Sequence, residues 1–175
     1  MATSTRQLTS LAAYNWGAVA LFAAAAVILA ALGFEHLGGY EPCPLCLQQR
    51  YAYYAGIPLL FVALVCLSAG LWRAASALFL FVAIVFLANA GLGVYHAGIE
   101  WGFWPGPETC AAGAIKPLEG SGSLLKDLAN KQVASCGDAQ VRFLGLSFAG
   151  WNVIASLGLM TSGLKAAAEA SEIRS

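Results

Sequence analysis

The sequence has very few charged residues for its length. Only 10% of its 175 residues are charged, and nine basic side chains balance nine acidic ones, whereas a soluble globular domain carries about 25% charged residues. So few charges cannot cover a soluble surface. Without a basic excess there is also no patch to neutralise nucleic-acid phosphates. The chain is 59% hydrophobic, and we therefore predict an integral membrane protein with no nucleic-acid partner.

The sequence contains long apolar runs. Four windows approach the roughly 20 residues that a helix needs to cross a hydrocarbon core of about 30 Å. They are residues 16–34, 47–71, 74–95 and 144–164. We predict an all-α membrane four-helix bundle, formed by a single domain over residues 1–175, with a short loop at 35–46 and a long loop at 97–143. Pro58 predicts a kink in the second helix rather than a break.

The first apolar run has an alternative interpretation as a cleaved signal peptide. It follows Arg6 and ends at residues 31–33, whose small residues would suit a cleavage site. Because the run has about 19 residues, and the apolar region of a signal peptide has about 7–15, we predict a retained span.

The positions of lysine and arginine predict the orientation in the membrane. Arg6, Arg73, Lys165 and Arg174 lie in segments on one side of the predicted bundle, whereas the loop at 35–46 contains no basic residue. Basic residues close to the ends of spans stay on the cytoplasmic side. We therefore expect both termini in the cytoplasm and both large loops on the opposite side.

Four of the five cysteines lie outside the predicted spans. Cys43 and Cys46 belong to the short loop, Cys110 and Cys136 to the long loop, and Cys66 alone lies within a span. An even number of cysteines in an oxidising compartment indicates two disulfides. A structural staple and a redox-active bridge remain equally open for the pair in the long loop. Cys66 has apolar neighbours, so we expect a buried, inert thiol.

The sequence C-P-L-C favours redox chemistry over a staple. A bridge between residues three apart removes little entropy from the unfolded chain, whereas a C-x-x-C pair at a helix N-terminus contains a thiol of lowered pKa. Pro44 suits a first helical turn, so Cys43 should cap the second helix, with Cys46 in its first turn. Arg50 should share a face with Cys46, favouring a thiolate or binding a polar head group. An arginine that only reaches towards lipid phosphates is the alternative.

The long loop combines an aromatic segment with a predicted short helix. The segment GIEWGFWPGPETC, residues 98–110, suits the membrane interface. From Ser123 onward, the apolar spacing predicts a short amphipathic helix on the membrane surface. Cys110 and Cys136 flank this helix, and such a loop can move, as a shuttling disulfide requires.

Three segments of the chain resemble a known family. CPLCLQQR, YHAGIEWGFWPGPETC and SCGDAQVRFLGLSFAGWN are similar to the DsbB family of bacterial inner-membrane disulfide bond formation proteins, and the resemblance covers almost the whole chain. It implies a membrane protein-dithiol:quinone oxidoreductase of the inner membrane, with ubiquinone or menaquinone as cofactor. It also implies a periplasmic DsbA-like partner of thioredoxin fold. We expect the chain to be a monomer.

The resemblance implies a role for each matching cysteine. Cys110 would form a mixed disulfide with the reduced partner. Cys136 would then exchange with Cys43, and Cys46 would be the thiolate that faces the quinone.

Two further residues match the cofactor site of that family. Arg50 would stabilise negative charge at the quinone site. His96 would line the quinone pocket, with an ordinary interfacial histidine as the alternative. Gly137, next to the last cysteine, departs from the family pattern and is expected to affect the exchange rate more than the reaction type.

Three other classes of protein are alternatives to this one. The vitamin K epoxide reductase-like family shares the bundle, the C-x-x-C and quinone chemistry, but its loop pair precedes the C-x-x-C in the chain, and here the order is reversed. A four-span structural protein with braced loops would give no reason for Arg50 beside C-P-L-C at a helix start. A metal or haem site using His36 or His96 would need C-x-x-C-H or paired C-x-x-C spacing. The chain has neither spacing, so we expect no metal.

Overall fold

The computed structural model describes residues 2–107, 135–137, 139 and 141–173. In this part of the chain the fold consists of four helices and one small antiparallel hairpin, which confirms the predicted all-α bundle. The elements in chain order are α1 (Ala2–His36), α2 (Pro44–Ser68), α3 (Trp72–Glu100), β1 (Arg142–Phe143), β2 (Leu146–Ser147) and α4 (Phe148–Glu172). Cys110 and the predicted surface helix from Ser123 lie outside the described residues.

Three of the described helices are long and apolar enough to cross a membrane. They are α1 from Gln7 onward, α2 and α3. The fourth predicted span corresponds to α4, which is long enough, at 25 residues, but is less apolar. Its polar side chains lower its hydropathy, and two of them, Ser156 and Ser162, are buried inside the bundle. Part of the polarity of α4 is therefore turned towards the other helices, whereas Lys165 and Glu172 are exposed.

The structure changes the predicted helix bounds, most of all at the start of α1, which is Ala2 instead of residue 16, and at the end of α4, which is Glu172 instead of residue 164. α2 begins at Pro44 and ends at Ser68, and α3 continues to Glu100, so the long connection begins later than predicted. α4 begins four residues after the predicted start at Leu144. Leu144 and Gly145 have φ angles of 53° and 82°, and two consecutive residues of positive φ make the tight turn of a hairpin. The apolar residues of this hairpin were wrongly assigned to the span.

Small residues bring the helices close together in the core. α3 packs against both α2 and α4, and α1 packs against α4 and α2. The rings of Phe79 and Phe86 are fully buried in this core. A Cβ atom added at Gly56 would lie 2.9 Å from the Phe86 ring, so the glycine lets α2 approach α3. Packing of this kind stabilises helices in lipid, where no hydrophobic force drives them together.

The chain folds back at the end of the bundle that carries Cys43 and Cys136, here called the cysteine end. In the last turn of α1, the ring of Phe34 contacts those of Tyr40 and Phe148. After α3, Trp104 stacks on Tyr95, and its indole N–H donates to the Tyr95 carbonyl at 2.8 Å. These contacts hold the connecting segments against the bundle beside the cysteines.

Candidate active site

The C-P-L-C pair lies at the start of α2, as predicted. Cys43 is the N-cap, Pro44 occupies the first turn, and the backbone N–H of Cys46 donates to Cys43 Sγ at 3.2 Å. The two Sγ atoms are 2.9 Å apart, and both cysteines are free thiols. The expected disulfide between them is therefore absent from this structure, which contains the reduced pair instead. Their geometry follows from the cap, because the turn that satisfies the Cys46 N–H brings the two sulfurs together.

Hydrogen bonds to Cys43 make it the more acidic thiol of the pair. They lower the pKa of Cys43 to about 4, chiefly through the side-chain hydrogen bond with Cys46, with further contributions from His96 and the Cys46 backbone N–H. Burial of Cys43 acts in the opposite direction. Cys43 is therefore the thiolate in this reduced state. The role suggested for Cys46 belongs to a different step, at the quinone, and stays a prediction.

Cys136 lies directly beside this pair. It is disulfide-bonded and buried, and its sulfur, the sulfur of Cys43 and a ring nitrogen of His96 all lie within 4.8 Å of one another. A thiolate next to a disulfide sulfur is the arrangement from which thiol–disulfide exchange proceeds. The structure thus brings together the two cysteines that were predicted to exchange, although they are 93 positions apart in the sequence.

The same three atoms have the spacing of a metal site. Sequence spacing gave no indication of it, because Cys43, His96 and Cys136 come from three separate segments. A sulfur bound in a disulfide is not a thiolate, however, and thiolates are the form in which cysteine binds metal. With Cys136 bonded, two ligands of this set remain, so the arrangement favours exchange chemistry.

His96 is held in place from both sides of its ring. The side chain is buried, and Nε2 lies 3.6 Å from Cys43 Sγ. Gln49 Nε2 lies 3.1 Å from the other ring nitrogen, Nδ1. Glu100, one helical turn after His96, has its Oε1 3.8 Å from Nε2, and its second oxygen accepts a hydrogen bond from Ser147. The ring is therefore directed at the sulfur atoms.

Sequence reasoning missed the polar residues around His96. Gln49 is buried, with 5% of its surface exposed. The signal available in the sequence was an amide side chain in an apolar helix, three residues after Cys46. Glu100 was noted only as part of the aromatic segment at 98–110, and no role was predicted for it. Its spacing of four from His96 places the two side chains on one face of α3.

A cavity of about 550 Å³ opens beside the pair. Most of its lining is apolar, and its polar lining includes Cys46, Arg50, His96 and Tyr53. The prediction that Cys46 and Arg50 share a face is confirmed, because both line this cavity. Its volume lies within the roughly 300–1,000 Å³ of small-molecule sites, which are typically apolar with a few placed polar groups.

An ion pair joins two walls of the cavity. The Arg50 guanidinium donates to the Glu35 carboxylate, and the side chains are only 12% and 25% exposed. Glu35 belongs to the last turn of α1, which continues to His36. Glu35 falls at the start of the loop that was predicted at 35–46, and nothing in the sequence indicated this pair.

Polar side chains continue from the cavity into the bundle. The Tyr53 hydroxyl donates to Asn152 Oδ1 at 2.7 Å, and both residues line the cavity. The amide nitrogen of Asn89 lies 3.4 Å from the same oxygen and donates to Ser156 Oγ at 3.0 Å. In lipid, polar groups have to find partners within the protein, and this network joins α2, α3 and α4.

The remaining predicted residues have less distinctive surroundings. Cys66 is a free thiol, but it is only partly buried at the edge of the core, so the prediction of a buried thiol was wrong in degree. His36 is exposed at the end of α1.

Comparisons with known proteins agree with this geometry. A family model described as "Disulfide bond formation protein DsbB" matches residues 13–165. The chain is 35% identical to disulfide bond formation protein B of Methylococcus capsulatus over 144 residues, which is 77% of this chain and 82% of the relative. It is 33% identical to the protein of that name from Aromatoleum aromaticum over 77% of this chain and 80% of the relative. With that of Saccharophagus degradans the identity is 30%, over 88% and 93%. No solved structure gives a significant match.

Proposed function

The chain belongs to the DsbB family of disulfide bond formation proteins, and from this premise we propose that it is a membrane protein-dithiol:quinone oxidoreductase. Its substrate would be the reduced form of a periplasmic DsbA-like protein of thioredoxin fold. The protein would lie in the bacterial inner membrane, with both termini in the cytoplasm and the cysteine end on the periplasmic side.

The observation that carries the proposal is the proximity of the disulfide-bonded Cys136 to the pair Cys43 and Cys46. The disulfide-bonded sulfur of Cys136 lies within 4.8 Å of Cys43 Sγ, and Cys43 Sγ lies 2.9 Å from Cys46 Sγ. Cys46 in turn lines the apolar cavity. A structural staple does not need a free dithiol beside it, whereas a relay of electrons does.

The first exchanges bring electrons from the partner to the long loop. A thiolate of the partner attacks Cys110, the Cys110–Cys136 bond breaks, and Cys136 leaves with the electron pair. The partner's second thiolate then attacks its own mixed disulfide, so that the partner is oxidised and Cys110 is released. Two electrons now reside on Cys110 and Cys136.

The second exchange passes these electrons to the start of α2. Cys136 attacks Cys43 in the Cys43–Cys46 disulfide, and Cys46 leaves with the electron pair. Cys110 then attacks Cys136 and releases Cys43. Free thiols at Cys43 and Cys46 beside a bonded Cys136 correspond to the state after this exchange.

The residues of the cavity fit a quinone. The lining is mainly apolar, Arg50 offers a positive donor, and Cys46 faces the same space. When bound there, a quinone would accept two electrons and two protons and leave the Cys43–Cys46 disulfide behind. Arg50 would hold the polar head group and stabilise negative charge near it, and the apolar walls would exclude water.

Reconstituted vesicles test the proposal. Purified protein, a reduced DsbA-like protein and either ubiquinone or menaquinone are mixed, and thiol loss and quinone absorbance are followed together. We expect equal amounts of disulfide and quinol, and a loss of quinone reduction in Cys46→Ser. Cys66→Ser is the matched control and should retain the wild-type rate. A wild-type rate in Cys46→Ser would refute the proposed route.

A further inference from the structure

His96 lies at the junction between the two cysteines that exchange. Its ring nitrogen is within 4.8 Å of the sulfurs of both Cys43 and Cys136. The side chain is 2% exposed, so bulk water has little access to this junction as a proton acceptor or donor. Thiol–disulfide exchange needs the attacking sulfur as a thiolate, and a buried exchange therefore needs a nearby group that takes and returns the proton.

We propose that His96 is the acid–base residue of the exchange between Cys136 and Cys43, and that Gln49 and Glu100 are its positioning residues. This inference rests on the proposed function, because it assigns a role within the relay described above. It gives His96 a task at the sulfurs that is separate from lining the cavity.

The first half of the exchange requires a proton acceptor. The Cys136 thiol passes its proton to His96, and the thiolate attacks Cys43. The Cys43–Cys136 bond forms, the Cys43–Cys46 bond breaks, and the electron pair remains on Cys46.

The second half requires a proton donor at the other sulfur. The Cys110 thiolate attacks Cys136, the Cys43–Cys136 bond breaks, and the electron pair remains on Cys43. His96 then returns its proton to Cys43, which passes it across the 2.9 Å contact to the Cys46 thiolate, so that Cys43 ends as the thiolate. The histidine ends unchanged, and two electrons have moved from the loop pair to the pair at α2.

The contacts of the ring agree with the donor form in this reduced state. The amide nitrogen of Gln49 lies 3.1 Å from Nδ1; an amide nitrogen only donates, so this orientation matches the tautomer with the ring proton on Nε2. Nε2 is the atom that lies 3.6 Å from Cys43 Sγ. A half-turn of the amide would present its oxygen to Nδ1–H and leave Nε2 free to accept.

Glu100 fixes the ring from the other side. Its carboxylate lies 3.8 Å from Nε2 and is held by the Ser147 hydroxyl. Ser147 is also the N-cap of α4. A nucleophile, a base and groups that orient the base are the general pattern of an activated sulfur or oxygen. Here Cys43, His96 and the pair Gln49 and Glu100 form that pattern.

Two rates separate a role in exchange from a role at the quinone. The first is quinone reduction driven by the reduced DsbA-like protein, which requires the Cys136 to Cys43 exchange. The second is quinone reduction driven by dithiothreitol in a Cys110→Ser, Cys136→Ser background, in which the small dithiol reduces the Cys43–Cys46 disulfide directly. His96→Asn should lower the ratio of the first rate to the second about 100-fold, a typical contribution of acid–base catalysis.

Equal losses in both rates, or an unchanged first rate, would overturn the inference while leaving the proposed function intact. If the wild-type chain reduced no quinone with either reductant, the proposed function would fail, and this inference with it. Glu169→Gln, close to the opposite end of α4, is the control and should leave the ratio unchanged.

Variants of Glu100 test the positioning role without removing the histidine. Glu100→Ala should lower the same ratio about tenfold, because the ring loses one of its two supports. Glu100→Gln should recover most of the loss, since the amide oxygen still accepts from Ser147 and the glutamine side chain has nearly the same size and shape as glutamate. If the glutamine variant were as poor as the alanine variant, or if alanine caused no loss, Glu100 would not be a positioning residue.

Discussion

Arg50 donates from its guanidinium to the carboxylate of Glu35, and both side chains line the cavity that Cys46 faces. The arginine comes from the second turn of α2, and the glutamate from the last turn of α1. Because both partners are largely shielded from water, a head group that enters the cavity has to share this guanidinium with Glu35. The affinity for such a ligand therefore depends on both residues.

Arg50→Ala should mainly weaken the apparent affinity for quinone. A hydrogen bond to a charged group contributes about 1.5–3 kcal/mol, which corresponds to a roughly 10- to 100-fold higher KM for quinone. The rate at saturating quinone should change less. Steady-state kinetics at several quinone concentrations measures both. Arg73→Ala, at the start of α3 beside Trp72, is the control, and an unchanged KM in Arg50→Ala would contradict the assignment.

Glu35→Gln should have the opposite effect. The amide removes the negative charge that competes for Arg50, so the KM for quinone should fall about two- to fivefold, as expected for an ion pair of up to about 1 kcal/mol. The same kinetics measures it. A rise in KM would mean that Glu35 holds Arg50 in its binding position instead of competing with the ligand.

Local spacing explains which parts of the site the sequence could predict. Cys43, Cys46 and Arg50 lie within the first two turns of one helix, so the positions of Pro44 and the two cysteines were sufficient to predict the cap and the shared face. The apolar windows predicted all four helices because each helix is also a continuous stretch of the sequence. Their errors were at the ends, where Leu144 and its neighbours form a hairpin turn.

The residues that the sequence did not predict are brought to the site by tertiary contacts. Glu35 pairs with a residue 15 positions later, and Gln49 with His96 after 47 positions. No periodicity connects such residues, because their proximity depends on how α1, α2 and α3 pack. The redox state of Cys43 was likewise not fixed by spacing, since a C-x-x-C pair accommodates both a dithiol and a disulfide.

Cys43 should react with an alkylating reagent at unusually low pH. Its pKa is lowered to about 4 by hydrogen bonds, with that of Cys46 as the largest cause, so its thiolate persists as the pH falls. At about pH 6 a free cysteine of pKa near 8.5 is almost fully protonated and reacts slowly. Iodoacetamide labelling of the reduced Cys66→Ser protein, with Cys43 and Cys46 resolved by peptide fragmentation, gives the rate at each pH.

The histidine should contribute to this acidity. His96→Gln removes a group that lowers the Cys43 pKa, so the labelling profile should move to higher pH while remaining below that of a free cysteine. A Cys43 profile centred near pH 8.5 in the wild-type protein would contradict the thiolate assignment.

Cys136→Ser should trap the partner. Without Cys136, Cys110 is a free thiol, so the test uses a DsbA-like variant without its second cysteine, whose remaining cysteine carries 5-thio-2-nitrobenzoate as a mixed disulfide. Cys110 attacks this disulfide and thionitrobenzoate leaves. No thiol remains to resolve the product, so the protein–protein mixed disulfide should accumulate and migrate as one band under non-reducing conditions. Cys110→Ser is the matched control, because it removes the sulfur that would attack the partner. Equal trapping in both variants would show that the partner reacts elsewhere.

Gly56→Ala should destabilise the bundle and also disturb the cavity. An added Cβ would meet the Phe86 ring at 2.9 Å, and this ring is fully buried and in edge contact with Tyr53 at a centroid distance of 5.2 Å. Overpacking of this kind costs about 1–3 kcal/mol, which should lower the thermal midpoint in detergent.

Displacement of the Phe86 ring should also shift Tyr53 and thereby alter the ligand site, because Tyr53 lines the cavity. Gly91→Ala is the matched control. It is also a helical glycine in this bundle, but its added Cβ would meet no atom within 4 Å, so it should be neutral or slightly stabilising through helix propensity. Thermal midpoints and the KM for quinone are measured for both variants. Since Phe86 connects the two effects, we expect Gly56→Ala to change both quantities and Gly91→Ala to leave the KM unaltered. Equal midpoints for the two variants would mean that α2 and α3 do not approach each other closely at Gly56.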